Sequence, residues 1–128
     1  MTLGPPKGRR AVILVVDDDA LITLNMVDQL SDLGHVALEA YSASEALAML
    51  RERGDIDMLV TDFSMPGMNG VELAEAALAH NPGLIVLLTS GYADLPEGIA
   101  CKFPRLEKPF REDEFHAKIG ELLAAPVE

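Results

Sequence analysis

Five short apolar runs punctuate the chain: AVILVV from Ala11, HVALEAY from His35, DMLVTD from Asp57, LIVLLTS from Leu84 and the weaker PRLEK from Pro104. They are continuous rather than alternating, as expected for strands covered on both faces of a parallel sheet. Between them, apolar residues recur at helical spacing. Ile22, Met26, Leu30 and Leu33 form one stripe with Gly34 as its stop. Ser42 stands three residues before Glu45, the spacing of a capping box, and opens a second helix that runs to Gly54. A third follows Gly70 and ends before Pro82. The last begins after Pro109 and carries Phe115, Ile119, Leu122 and Leu123. Strand-then-helix units in regular order predict an α/β fold, a doubly wound five-stranded parallel sheet with right-handed crossovers.

One unit departs from the pattern. Between Thr89 and Lys108 the segment GYADLPEGIACKFPR contains Pro96, Gly98 and Pro104, which predicts a short, irregular or mobile fourth helix. The first ten residues, with two Pro, two Gly and three basic side chains, are expected to be a flexible tail. The domain is then expected to span residues 11–125, followed by a C-terminal tail over 126–128.

Composition narrows the function. The 128 residues include 10 Lys or Arg and 21 Asp or Glu, for a formal charge of −11. That acidity argues against nucleic acid or an anionic membrane as a direct partner. Mean hydropathy of +0.20 and 49% apolar residues exclude a disordered acidic tail. No apolar run approaches a membrane span, and MTLGPPKGRR does not fit a secretory leader. A single cysteine, Cys101, excludes an internal disulfide. The expected setting is the cytoplasm.

A doubly wound sheet places its ligand site beyond the carboxyl ends of its strands. The residues at those ends are Asp17, Asp18 and Asp19, then Asp62, then Thr89 and Ser90, then Lys108. Carboxylates crowded together repel unless a cation neutralises them. Oxygen donors with room for waters suit Mg2+, with Mn2+ as an alternative ion. Asp62 precedes a Gly-bearing loop that leaves its carboxylate reachable. Such a group can act as a nucleophile on phosphorus and form an aspartyl phosphate, with metal and lysine neutralising the transferring group.

In this order, VVDDD, LVTDFSMPGMNG, LLTSGY and LEKPF resemble the receiver domain of two-component response regulators, of the single-domain or hybrid-kinase receiver type. The resemblance runs from Ala11 to about Ala125. It implies a flavodoxin-like fold, Asp62 as phosphoacceptor, Asp18 as a direct Mg2+ ligand and Asp17 helping through water. The backbone carbonyl of Ser64 would complete the protein ligands of the metal. Thr89 would bond a phosphoryl oxygen in the active state, Ser90 would leave space for the group, and Lys108 would pair with the phosphate. The Lys108–Pro109 bond would be cis. The implied partner is a sensor histidine kinase or histidine phosphotransfer protein. It would dock on the first helix near Ala20, Leu24 and Val27, whose 100° geometry sets them opposite the core stripe. The downstream protein is unspecified. Such a domain catalyses only its own phosphorylation and dephosphorylation, and in that sense is not an enzyme.

One position departs from the family pattern. The aromatic residue commonly found three before the lysine is Arg105 in this chain, with Phe103 and Tyr92 as the nearest aromatics. Two competing functions remain open from the residues alone. A small haloacid-dehalogenase-like phosphatase would use Asp17 as nucleophile and Asp19 as acid/base. A docking-only receiver-like module would need none of the site's chemistry. Asp19 is otherwise expected to be a solvated turn, His35, His80 and His116 structural or exposed, and Met65 and Met68 loop packing.

Overall fold

The computed structural model describes residues 10–91 and 103–124. Five strands form one sheet: β1 (Val12–Val16), β2 (Val36–Ala40), β3 (Met58–Asp62), β4 (Ile85–Ser90) and β5 (Arg105–Glu107). Their order is β2-β1-β3-β4-β5, and every neighbouring pair is parallel. Four helices cross between or follow them among the described residues: α1 (Ala20–Asp32), α2 (Ala43–Glu52), α3 (Gly70–His80) and α4 (Glu112–Ala124). The expected short or irregular helix falls on residues 92–102, outside the described residues, as do Tyr92, Cys101 and both proposed tails apart from Arg10.

The apolar runs are continuous because successive residues of one strand enter two different cores. Leu14 and Val16 of β1 join Leu59 and Val86 beneath α2 and α3, against Ala46, Leu50, Leu73 and Ala77. Ile13 and Val15 point the other way and join Val60 and Leu87 beneath α1 and α4, against Met26, Leu30, Phe115 and Ile119. Each strand therefore needs apolar side chains at odd and even positions alike. No described helix is long and apolar enough to cross a membrane.

The helices begin where side chains satisfy their first N–H groups. Asp19 caps α1, accepting from the N–H of Leu21 and Ile22, so it has a definite structural task rather than being a solvated turn. Ser42 caps α2 as expected, but Glu45 accepts from the N–H of Tyr41 instead of completing the box on Ser42. The complete box belongs to α3, between Asn69 and Glu72.

The face of α1 differs from the expected stripe. Its buried residues are Thr23, Met26, Gln29 and Leu30, and Ile22 is half-buried. Leu33, expected in the core, is the C-cap and is 43% exposed, because the chain turns away at Gly34 with φ of 96°. Val27, expected to face outward, is half-buried against the layer that holds Phe115. Counting apolar residues alone rotated the helix, because the buried face includes two polar residues with internal partners.

Candidate functional site

The chain runs outward from β1 to β2 and then crosses back to β3, so the carboxyl ends of β1 and β3 lie side by side. Such a switch point is where a doubly wound sheet leaves a crevice. Asp17 follows β1, and Asp62 ends β3 in register with Thr89 of β4. The Lys108 N–H donates to the Ser90 carbonyl at 2.7 Å, which carries the end of β5 to the same rim. The topology thus brings together Asp17, Asp18, Asp62, Thr89, Ser90 and Lys108 although they are distant in sequence.

Asp17 is 1% exposed and Asp62 4% exposed, while Asp18 faces solvent. One carboxylate oxygen from each of the three lies within 4.8 Å of the others. Lys108 Nζ bridges the buried pair, donating to Asp62 Oδ1 at 3.0 Å and to Asp17 Oδ2 at 3.1 Å. The other oxygen of Asp17 accepts from the Asp19 N–H at 2.9 Å. Burial alone would lower the Lys108 pKa. The hydrogen bonds it donates to Asp62 and Asp17, and its attraction to them, outweigh burial and hold the ammonium above the ordinary lysine value.

Two further observations sharpen the site. The Thr89 hydroxyl is buried and has no hydrogen-bond partner among the described residues, although its backbone is fixed by the Phe63 N–H donating to its carbonyl at 2.8 Å. A buried hydroxyl left without a partner costs free energy, on the order of 1–3 kcal/mol. The Lys108–Pro109 bond is cis, as expected. Ser64 lies exposed in the loop between β3 and α3. Arg105 is exposed on the edge strand, and Phe103 is half-buried against the layer beneath α2 and α3.

The three hard oxygen donors fit a divalent cation such as Mg2+. The donor set contains neither the sulfur nor the imidazole that zinc sites favour. In the phosphatase alternative Asp19 would serve as acid/base, but its carboxylate is engaged in capping α1 and Asp17 is held at both oxygens. That alternative is not favoured.

The sequence pattern of response regulator receiver domains matches residues 13–120. The chain belongs to the receiver domain family. Similarity to individual proteins agrees. The sensor kinase CckA of Brucella abortus is 32% identical to this domain over 120 residues, which cover 88% of this chain and 12% of the kinase. The two-component response regulator PhoP of Pseudomonas aeruginosa is 32% identical over 115 residues, covering 87% of this chain and 51% of that protein. A response regulator receiver protein from Sinorhizobium medicae superposes with a TM-score of 0.79 at 29% identity, covering 91% of this chain and 97% of the other. The receiver domain thus spans about half or less of these two curated relatives.

Two residues at this site carry more than sequence reasoning gave them. From the sequence alone, Gly70 only marks the point after which the third helix follows. A Cβ built on it would stand 2.4 Å from the Asp62 carbonyl oxygen and 2.9 Å from Phe63 Cα, so the helix approaches the strand end more closely than any side chain allows. The fully buried hydroxyl of Thr23 reaches back to the aspartate loop. A lone hydroxyl on a helix face was the only signal available.

Proposed function

We propose that the receiver domain accepts a phosphoryl group from a phosphohistidine on a histidine kinase or phosphotransfer protein, and holds it on Asp62. The observation that carries this reading is Lys108 bridging the buried Asp17 and Asp62, with Asp18 alongside. An oxygen of Asp62 attacks phosphorus, the P–N bond breaks, and its electron pair returns to the leaving imidazole. Asp18, Asp62 and the Ser64 carbonyl would hold Mg2+, or Mn2+ in its place, with Asp17 assisting through water. The ion would supply neutralising charge to the transferring group. Lys108 and the Thr89 hydroxyl, which has no partner among the described residues, would take up phosphoryl oxygens once the group arrives. The unit performing this chemistry is residues 11–125, and its role is regulatory.

The partner surface is α1. Ala20 and Leu24 are exposed as expected, and Leu21 is 80% exposed, whereas the inward-packed Val27 contributes less. A groove of about 580 Å³ is lined by Ile22, Asn25 and Met26 of the same helix together with Lys108, Pro109 and Phe110. An amphipathic helix bearing the phosphohistidine fits an apolar face that ends at the acidic site.

Intact mass spectrometry after incubation with acetyl phosphate tests the reading. Wild type gains one alkali-labile phosphoryl group only with Mg2+ present, and Asp62→Asn gains none. A label that survives Asp62→Asn would overturn the assignment.

A further inference from the structure

We infer that Thr23 is a positioning residue for the metal-binding aspartates, an inference that rests on the phosphoacceptor reading above. Residues 17–19 are three consecutive aspartates joining β1 to α1. Mutual repulsion drives such a loop apart. The fully buried Thr23 hydroxyl, in the first turns of α1, lies 2.9 Å from the Asp17 carbonyl oxygen and 3.1 Å from that of Asp19. One hydroxyl proton is therefore shared between both ends of the tripeptide. Threonine in a helix commonly bonds the carbonyl four residues back, and the Asp19 contact is of that kind. The Asp17 contact is the shorter of the two and reaches six residues back, outside the helix. Helix back-bonding alone does not account for it.

The consequence falls on side chains that Thr23 does not touch. With the Asp17 carbonyl fixed, the Asp17 carboxylate is set between the Asp19 N–H and Lys108. Asp18, between the two clamped carbonyls, presents its carboxylate to the same point as Asp62. Packing does not demand the hydroxyl. The neighbouring positions on this face are Met26 and Leu30, and valine has the shape of threonine without the donor. Threonine at a core position that an apolar residue would fill is thus explained by what it does for the loop.

The test compares wild type, Thr23→Val, Thr23→Ser and Thr23→Ala for calorimetric Mg2+ affinity, initial rate of phosphorylation by acetyl phosphate, and melting temperature. Thr23→Val is expected to weaken Mg2+ binding at least threefold and slow phosphorylation about tenfold, as expected for an ångström-scale misplacement of ligands. Thr23→Ser restores most of both, while Thr23→Ala does not. The Ser–Ala pair isolates the hydroxyl even if the valine variant folds poorly. Equal affinity and rate in the Val or Ala variant, or equal loss in Ser and Ala, overturns the positioning role. Absence of phosphorylation in wild type would instead overturn the phosphoacceptor reading.

Discussion

Replacing Lys108 by methionine removes the ammonium while keeping most of the side chain's length and apolar stem. It leaves Asp17 and Asp62, with side chains 1% and 6% exposed, without the ammonium that bridges them. At the effective dielectric constant of about 20 that suits such sites, each contact near 3 Å corresponds to roughly 5 kcal/mol of gross attraction. Most of that is offset by the cost of taking the three charges out of water. What remains on breaking a fully buried pair is about 3–5 kcal/mol. The Lys108 side chain is 23% exposed, so water screens part of the attraction. The expected loss in metal-free protein is therefore about 2 kcal/mol, or roughly 6–10 °C in melting temperature at this chain length.

Mg2+ reverses the comparison. In wild type the ion must share Asp17 and Asp62 with an ammonium already in place. In Lys108→Met it meets the same three carboxylates with that ammonium gone, so it binds more tightly. Ligand stabilisation grows as RT ln(1 + [L]/Kd), reaching about 2.7 kcal/mol at a hundredfold excess over Kd. Melting curves with EDTA and across a Mg2+ series should show a larger Mg2+-dependent rise for the variant than for wild type. Equal rises, or metal-free melting within 2 °C of wild type, would refute the view that Lys108 serves as resident counter-ion.

Gly70→Ala forces a Cβ to 2.4 Å from the Asp62 carbonyl. It should cost about 1–3 kcal/mol in urea denaturation and slow acetyl phosphate labelling, and unchanged values in both assays would contradict the close approach. Thr89→Val removes a buried hydroxyl that has no described partner. The unphosphorylated domain should lose no stability and gain up to about 1 kcal/mol, while any phosphorylation-dependent change in backbone amide NMR shifts around β4 shrinks; a clear loss of stability would show that the hydroxyl is already engaged. His35 Nδ1 accepts from the Ala11 N–H at 3.1 Å, and burial lowers its pKa from 6.5. The unfolded chain therefore takes up the proton first, so this contribution is complete above pH 6.5 and is lost as pH falls through the lowered folded value. The pH slope of stability below 6.5 should flatten in His35→Gln, and an unaltered slope would remove His35 from the account.

The strands were legible because burial on both faces leaves a signature, the unbroken apolar run, that needs no knowledge of neighbours. Asp17, Asp18, Asp62, Thr89 and Lys108 followed, since each sits at the end of such a run and topology brings run-ends together. The face of α1 was not legible. Its burial depends on Thr23 and Gln29, whose hydrogen bonds to the aspartate loop and to His116 Nε2 at 3.1 Å exist only in the folded chain. Gly70 carries no chemistry of its own. Its importance is the space another strand end occupies, which no local pattern records. Asp19 is different: an aspartate just before a helical stripe is a readable N-cap signal.

Charge accounting indicates how the site would transmit its state. At rest, Lys108 bridges two of the three clustered carboxylates among the described residues. Phosphorylation replaces the −1 of the Asp62 carboxylate by the roughly −1.5 to −2 of an acyl phosphate, and a bound divalent cation adds two positive charges, so the pair together change the net charge of the site by only about one unit. Fields also decay within about 8 Å at physiological salt, and the chain already carries −11. A distant partner would therefore sense little through electrostatics alone. What changes is which oxygens Lys108 and Thr89 bond, and both residues are tied to sheet backbone, Lys108 to Ser90 and Thr89 to Phe63. The signal would leave along the ends of β4 and β5. An aromatic at position 105 is not available to carry it, since Arg105 is exposed on the edge strand. Phe103, half-buried on the layer beneath α2 and α3 and two residues before that position, is the described aromatic through which movement of the β5 end would reach the helices.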